Sequence, residues 1–181
     1  GIFFAMPELF LKLTAQAGTC VAGIPSAIPL QEGVNIIGRG DEGAACLNTG
    51  AASYVQLNLA TASGRRHEHY GWVSRQHAQI SVVGSAVTLT DLSSNGIMVD
   101  GVAVSKGAEA ALRAGSVVVF GTRSLAADDE STTVRQRKQF LIDTLRYTLC
   151  AAPASPAEAA GAEAAGAAGV AAGGAGAAAG G

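Results

Sequence analysis

Three short segments concentrate the residues able to do chemistry: Gly38-Arg39, Ser74-Arg75-Gln76-His77-Ala78 and Asp91-Leu92-Ser93-Ser94-Asn95-Gly96. Together they offer two guanidinium groups, several hydroxyls and an amide, with Asp91 as the one carboxylate. A phosphate group carrying about −2 charge is held by such donors. A forked arginine makes the bidentate contact, and hydroxyls or backbone N–H groups take the remaining oxygens. Asn95 brings both a donor and an acceptor, which suits it to hold a peptide main chain in register. This is an inventory for binding.

Other chemistries fit less well. Ser74, His77 and Asp91 could be drawn as a hydrolytic triad, but no Gly-x-Ser-x-Gly elbow frames Ser74. Neither a phosphate-cradling Gly-x-x-x-x-Gly-Lys-[Ser/Thr] loop nor a kinase signature is present, so no enzymatic activity is expected. His67-x-His69 could suggest a metal, yet no third ligand is placed nearby and the helical His-Glu-x-x-His pattern is missing. No metal or other cofactor is expected. Taken alone, Arg39 would be a solvated surface arginine, His77 a satisfied structural histidine, and Arg65, Arg66, His67 and His69 an exposed basic loop.

These segments fall between stretches that read as strands, where a rigid scaffold ordinarily carries functional loops. Leu9, Leu11, Leu13 and Ala15 alternate with Phe10, Lys12, Thr14 and Gln16, the period of a half-buried strand. Ile28 and Leu30 precede a turn at Glu32-Gly33, followed by Val34 to Ile37. Tyr54 to Leu59 alternates again. His77 to Val83 and Val87 to Leu92 flank Gly84-Ser85-Ala86 as a hairpin. Asn95-Gly96 and Asp100-Gly101 are tight-turn signals, and Val117 to Phe120 is a short apolar strand ending at Gly121. Many short strands at this spacing indicate a β-sandwich or barrel. Residues 139–149 are ambiguous: Leu141, Leu145 and Leu149 have helical spacing, while β-branched and aromatic residues favour the strand that would close a sandwich. The strand is the expectation. Asp128 to Thr133, just before, reads as a solvated loop.

Composition supports one domain with a tail. Charged residues make up 14% of the 181, and the formal net charge is −2, which gives no electrostatic reason for nucleic-acid or membrane binding. From Ala151 to Gly181 the chain is nearly all Ala and Gly. Such a segment has nothing large to bury against its ordering entropy, so it reads as a disordered tail beyond a domain at 7–150. Cys20, Cys46 and Cys150 form neither a disulfide framework nor a zinc pattern, which points to an intracellular setting without distinguishing nucleus from cytoplasm. The opening residues lack the basic character of a signal peptide, and no stretch approaches the ~20 apolar residues of a membrane span.

The ordered motifs resemble the forkhead-associated (FHA) domain: Gly-Arg, then Ser-x-x-His, then a hydroxyl residue before Asn-Gly, then a short apolar strand ending in Gly. Here these are Gly38-Arg39, Ser74 with His77, Ser94-Asn95-Gly96, and Gly115 to Gly121, with the resemblance running from about Leu9 to Leu149. It implies an all-β, eleven-stranded FHA-type β-sandwich whose loops grip phosphothreonine in a partner protein. By position, Arg39, Ser74 and Ser94 would contact phosphate, with Arg75 on the phosphate or the adjoining backbone, and Asn95 would orient the peptide. Gly38, His77 and Gly96 would support the site, Gly38 by permitting the turn before Arg39. Arg65 and Arg66 would lie beside the peptide and favour acidic residues after the phosphothreonine. The stretch from Arg39 to Ser74 is longer than usual in the family, and Ile97 and Asp100 depart from its pattern. The alternative is a scaffold domain of the same fold that binds its partner without phosphate.

Overall fold

The computed structural model describes residues 8–14, 22–39, 50–124 and 131–152. Eleven strands form two sheets: β1 (Leu9–Leu13), β2 (Ala27–Leu30), β3 (Gly33–Gly38), β4 (Ser53–Gln56), β5 (Ala78–Val83), β6 (Ala86–Asp91), β7 (Ile97–Val99), β8 (Val102–Val104), β9 (Glu109–Leu112), β10 (Val117–Phe120) and β11 (Arg146–Ala151). One sheet has the order β2-β1-β11-β10-β7-β8 and the other β4-β3-β5-β6-β9. Among the described residues only β3 and β4 pair in parallel, with Ile36 opposite Tyr54.

Alternation decides which side chains meet between the sheets. Ala78, Ile80 and Val82 of β5 are buried with Val87 and Leu89 of β6, facing Ile97, Val99, Val118, Phe120, Tyr147 and Leu149 of the other sheet. The turns follow local chemistry. Gly84-Ser85 joins β5 to β6, pairing Val83 with Ala86. Asp100 and Gly101, with φ of 51° and 80°, join β7 to β8, the conformation a two-residue hairpin of right-handed twist requires. The Asp100 carboxylate also accepts the Val117 N–H at 2.7 Å and the Ser116 hydroxyl at 3.1 Å, tying this hairpin to β10.

The strand expected over 139–149 is corrected. Thr132–Thr144 is an α-helix, α1, and β11 begins only at Arg146. Ser131, expected in a solvated loop with Thr132 and Thr133, is the helix N-cap and accepts the Val134 N–H. The ambiguity had a physical origin. Leu141 and Leu145 enter the main core, whereas Ile142 packs on Met98 and Val119 on the outer face of the first sheet. Two apolar faces one residue apart look like alternation. The strand expected over Tyr54–Leu59 ends at Gln56, although Leu57 and Leu59 remain buried. Pairing of β11 with β1 runs to Ala151, opposite Leu9. Ala15, residues 40–49 and the Ala/Gly tail from 153 onward lie outside the described residues. Among the described residues, no helix is long and apolar enough to cross a membrane.

Candidate functional site

Arg39 follows β3 directly, Ser74 and Arg75 follow a 3-10 turn at Tyr70–Trp72, and Ser94 and Asn95 lie between β6 and β7. The fold gathers all three segments around one wholly buried ring, His77. Its Nδ1 accepts the Ser74 backbone N–H at 2.9 Å. In a neutral ring the proton then sits on Nε2, which donates to the Gly96 carbonyl at 3.1 Å. The Gly121 N–H, 3.0 Å from that same carbonyl, completes the junction with β10. The backbone of His77 extends the role, its N–H donating to Ile37 and its carbonyl accepting from Leu92. Burial pushes the His77 pKa down to about 4, which the Gly96 carbonyl and Asp91 only partly oppose. The expectation of a bracing histidine thus acquires specific partners.

Gly38 serves by close approach instead of by the turn expected of it. A Cβ there would fall on the Arg75 carbonyl oxygen and lie 2.9 Å from that of Ser74. Only glycine lets β3 run against the Ser74-Arg75 backbone, where the Arg39 N–H donates to the Ser74 carbonyl at 3.0 Å. The Tyr54 hydroxyl donates to the Arg75 carbonyl at 2.8 Å, while the Arg75 side chain is exposed.

At the end of β6 and just beyond it, Asp91 and Ser93 are wholly buried. The Asp91 carboxylate accepts the Ser93 N–H at 2.7 Å and an Arg123 Nη2 donor at 3.0 Å, and Ser93 Oγ accepts the Gly96 N–H at 2.6 Å. Gly96, at φ +103°, leaves room for the Arg123 stem, which any Cβ would strike. This internal network turns Ser94 outward. The Ser94 N–H donates to Ser74 Oγ at 3.0 Å, so the Ser74 hydroxyl keeps its own proton to donate. Asn95 is oriented by its Nδ2, which donates to the Trp72 carbonyl at 3.0 Å.

The arginines sort by what holds them. Arg39 Cζ lies 5.5 Å from the centre of the Tyr70 ring, and Arg66 Cζ lies 4.9 Å from the same ring. Among the described residues Arg39 Nε is buried without a hydrogen-bond partner. Among the described residues no carboxylate lies in ion-pair range of either guanidinium. Arg65 is exposed and engages Thr61 through its backbone, so the structure separates the two residues of the expected specificity loop.

Helix α1 backs this loop. Arg137 Cζ lies 4.7 Å from the Trp72 ring centre. Phe140 stacks on His67 at 4.6 Å and meets the edge of His69 at 4.9 Å. Burial lowers the His69 pKa; His67 and Arg137 add to the effect and Glu68 opposes it. These two histidines are packed on an aromatic ring, and among the described residues no group of three His, Cys, Asp or Glu could hold a metal. Tyr70, Trp72, Arg123, Arg137 and Phe140 were given no part at the site by the reading of the sequence, and Ser93 was named there only within its segment. Trp72, the chain's only tryptophan and two residues before Ser74, was the one available signal.

Comparison with known proteins follows this geometry. Residues 35–121 match the family model of the FHA domain. None of the curated proteins matches the chain. Among solved structures, one from a structural and functional analysis of phosphothreonine-dependent FHA domain interactions is 22% identical, with a TM-score of 0.44, covering 81% of this chain and 99% of that one. The FhaA FHA domain complexed with the intracellular domain of Rv3910 is 28% identical, TM-score 0.39, covering 62% and 91%. The FHA domain of CT664 from Chlamydia trachomatis is 22% identical, TM-score 0.44, covering 79% and 96%.

Proposed function

With residues 35–121 belonging to the FHA domain family, we propose that this chain is a phosphothreonine-peptide binding module and that it performs no catalysis. The observation that carries the reading is the meeting of Arg39, Ser74, Ser94 and Asn95 above His77, with the Arg39 guanidinium held on Tyr70 and matched to no carboxylate among the described residues. The Arg39 fork and the Ser74 and Ser94 hydroxyls take the phosphate oxygens, with Arg75 at their edge. Asn95, fixed by Trp72, engages the peptide main chain. The partner is therefore a protein carrying phosphothreonine.

The same contacts argue against a hydrolase. His77 meets Ser74 through the backbone N–H and not the hydroxyl. Asp91 is committed to Ser93 and Arg123. A base buried with a pKa near 4 is also poorly matched to proton abstraction at neutral pH. Threonine over serine gains one buried methyl, about 0.8 kcal/mol or several-fold in affinity.

The test is a titration of a degenerate phosphothreonine peptide library, with unphosphorylated, phosphoserine and phosphotyrosine counterparts, against wild type and Arg39→Ala. Binding confined to phosphothreonine and weakened about a hundredfold by Arg39→Ala is expected, the effect of losing two charge-assisted hydrogen bonds. Binding that ignores phosphorylation and survives Arg39→Ala would replace this reading with a phosphate-independent scaffold.

A further inference from the structure

Asn95-Gly96 is the chain's only Asn-Gly pair, and that dipeptide carries a reactivity the function proposed above does not use. Glycine leaves its backbone nitrogen unhindered by a side chain and its φ free. That nitrogen can attack the side-chain amide carbon of the asparagine before it. In the step, Gly96 N bonds to Asn95 Cγ, the Cγ–Nδ2 bond breaks, and ammonia leaves carrying the Gly96 proton. Water then opens the cyclic imide at either carbonyl, giving aspartate or isoaspartate. One water is consumed and one ammonia released, with no oxidant or reductant.

The structure holds both reacting groups. Gly96 is buried, and its N–H donates to Ser93 Oγ at 2.6 Å. Ser93 is itself wholly buried, so the proton that must leave is kept from water. Asn95 Nδ2, the leaving group, donates to the Trp72 carbonyl at 3.0 Å. Attack therefore waits for a local opening that frees the nitrogen from Ser93 and the amide from Trp72.

The product does not fit where the asparagine did. A carboxylate at residue 95 has no proton to donate to the Trp72 carbonyl, and it adds negative charge beside the groups proposed to take phosphate. Isoaspartate also lengthens the main chain by one carbon. That carbon falls between two anchors. One is the Ser94 N–H, 3.0 Å from Ser74 Oγ. The other is the Gly96 carbonyl, 3.1 Å from His77 Nε2 and 3.0 Å from the Gly121 N–H.

We propose that Asn95-Gly96 is a deamidation site held closed by Ser93 and Trp72, and that its reaction switches off phosphopeptide binding irreversibly. The loss of binding rests on the phosphothreonine reading, whereas the gated reaction stands apart from it. Two hydrogen bonds, each worth several-fold, put the folded rate roughly ten- to a hundredfold below that of the unfolded chain.

The experiment incubates the full chain at mildly alkaline pH, native and in guanidinium chloride. Peptide-resolved mass spectrometry follows the amide-to-acid change at Asn95. Reaction in the denatured chain is expected, slowed roughly tenfold or more in the native protein, with Ser93→Ala raising the native rate about fivefold. Equal native and denatured rates, or a native rate unmoved in folded Ser93→Ala, would overturn the gate. If Ser93→Ala does not fold, hydrogen exchange of the Gly96 N–H in wild type decides. Protection alongside slow deamidation is expected, and a freely exchanging amide overturns the gate. The modified protein, separated by its added charge, should bind a phosphothreonine peptide about tenfold more weakly, as should Asn95→Asp. Full affinity in the modified fraction would overturn the switch. Wild type that never binds phosphothreonine sinks the underlying reading and the switch, with the mass change at Asn95 still standing.

Discussion

Beneath the site, His77, Asp91 and Ser93 are wholly buried, and each spends its hydrogen-bonding capacity on backbone or on Arg123. At the rim, Ser94 and Arg66 are exposed and Arg39 is half-buried with its Nε unmatched. In the floor the His77 ring nitrogens, the Asp91 carboxylate and Ser93 Oγ are paired internally, as buried polar groups must be, and Arg123 Nε is the one floor atom buried without a partner among the described residues. The rim departs from that pairing where a ligand would supply the missing partner. The two regions therefore answer to different measurements: floor substitutions register in stability, and rim substitutions in affinity.

The largest effect that can break this contrast is Gly38→Ala. The new methyl meets backbone at Arg75 and Ser74, which cannot swing aside as a side chain could. A loss of about 3 kcal/mol or more in denaturant-induced unfolding is expected, with phosphopeptide binding impaired as Ser74 is pushed from Arg39. An unchanged midpoint would mean that β3 and the Ser74 segment are not pressed together.

Acid should act next on the floor. The unfolded ring takes up a proton near pH 6.5, the folded His77 only near 4. Between those values the unfolded state binds more protons, so stability is full above pH 6.5 and falls as the pH drops toward 4. The loss approaches about 3 kcal/mol over that window. His69, also lowered by burial, contributes in the same direction. Unfolding midpoints across this range, with the His77 ring followed by NMR, check it. A His77 that titrates near 6.5 would move the ring out of the floor.

The smallest effect sharpens the boundary between the regions. Arg137 reaches the rim only through Trp72, whose carbonyl orients Asn95. Arg137→Ala should cost ~1 kcal/mol of stability or less, while weakening phosphopeptides about threefold whatever their flanking residues. A large fall in thermal midpoint with no change in affinity would place α1 with the floor.

How much of this could be read in the residues follows from sequence distance. Val117 to Phe120, the Gly84-Ser85 hairpin and the Asp100-Gly101 turn were legible because each is decided by neighbours in the chain. The Gly38, Ser74, His77 and Asn95 set was legible as an ordered pattern, and the structure adds which atoms meet. Arg123 on Asp91, 32 residues apart, and Arg137 on Trp72 were not, since nothing local marks an arginine for a particular partner. The helix in place of a strand at 132–144 arose because one segment had to satisfy the core and the outer face of a sheet together. Gly38 was singled out for the turn before Arg39, whereas the structure sets the Arg75 carbonyl against it.

The pairing of β1 with β11 has a mechanical side. Arg146 pairs with Val119, next to the strand end that meets His77, and the two strands run from there to Leu9 opposite Ala151. The described fold is thus entered and left at one pole, while the Arg39, Ser74 and Ser94 cluster lies at the other. Under the proposed reading, a peptide held at that cluster lies at the pole opposite Leu9 and Ala151. A pull between such a peptide and Leu9 or Ala151 would run along the strands and load their hydrogen bonds together in shear.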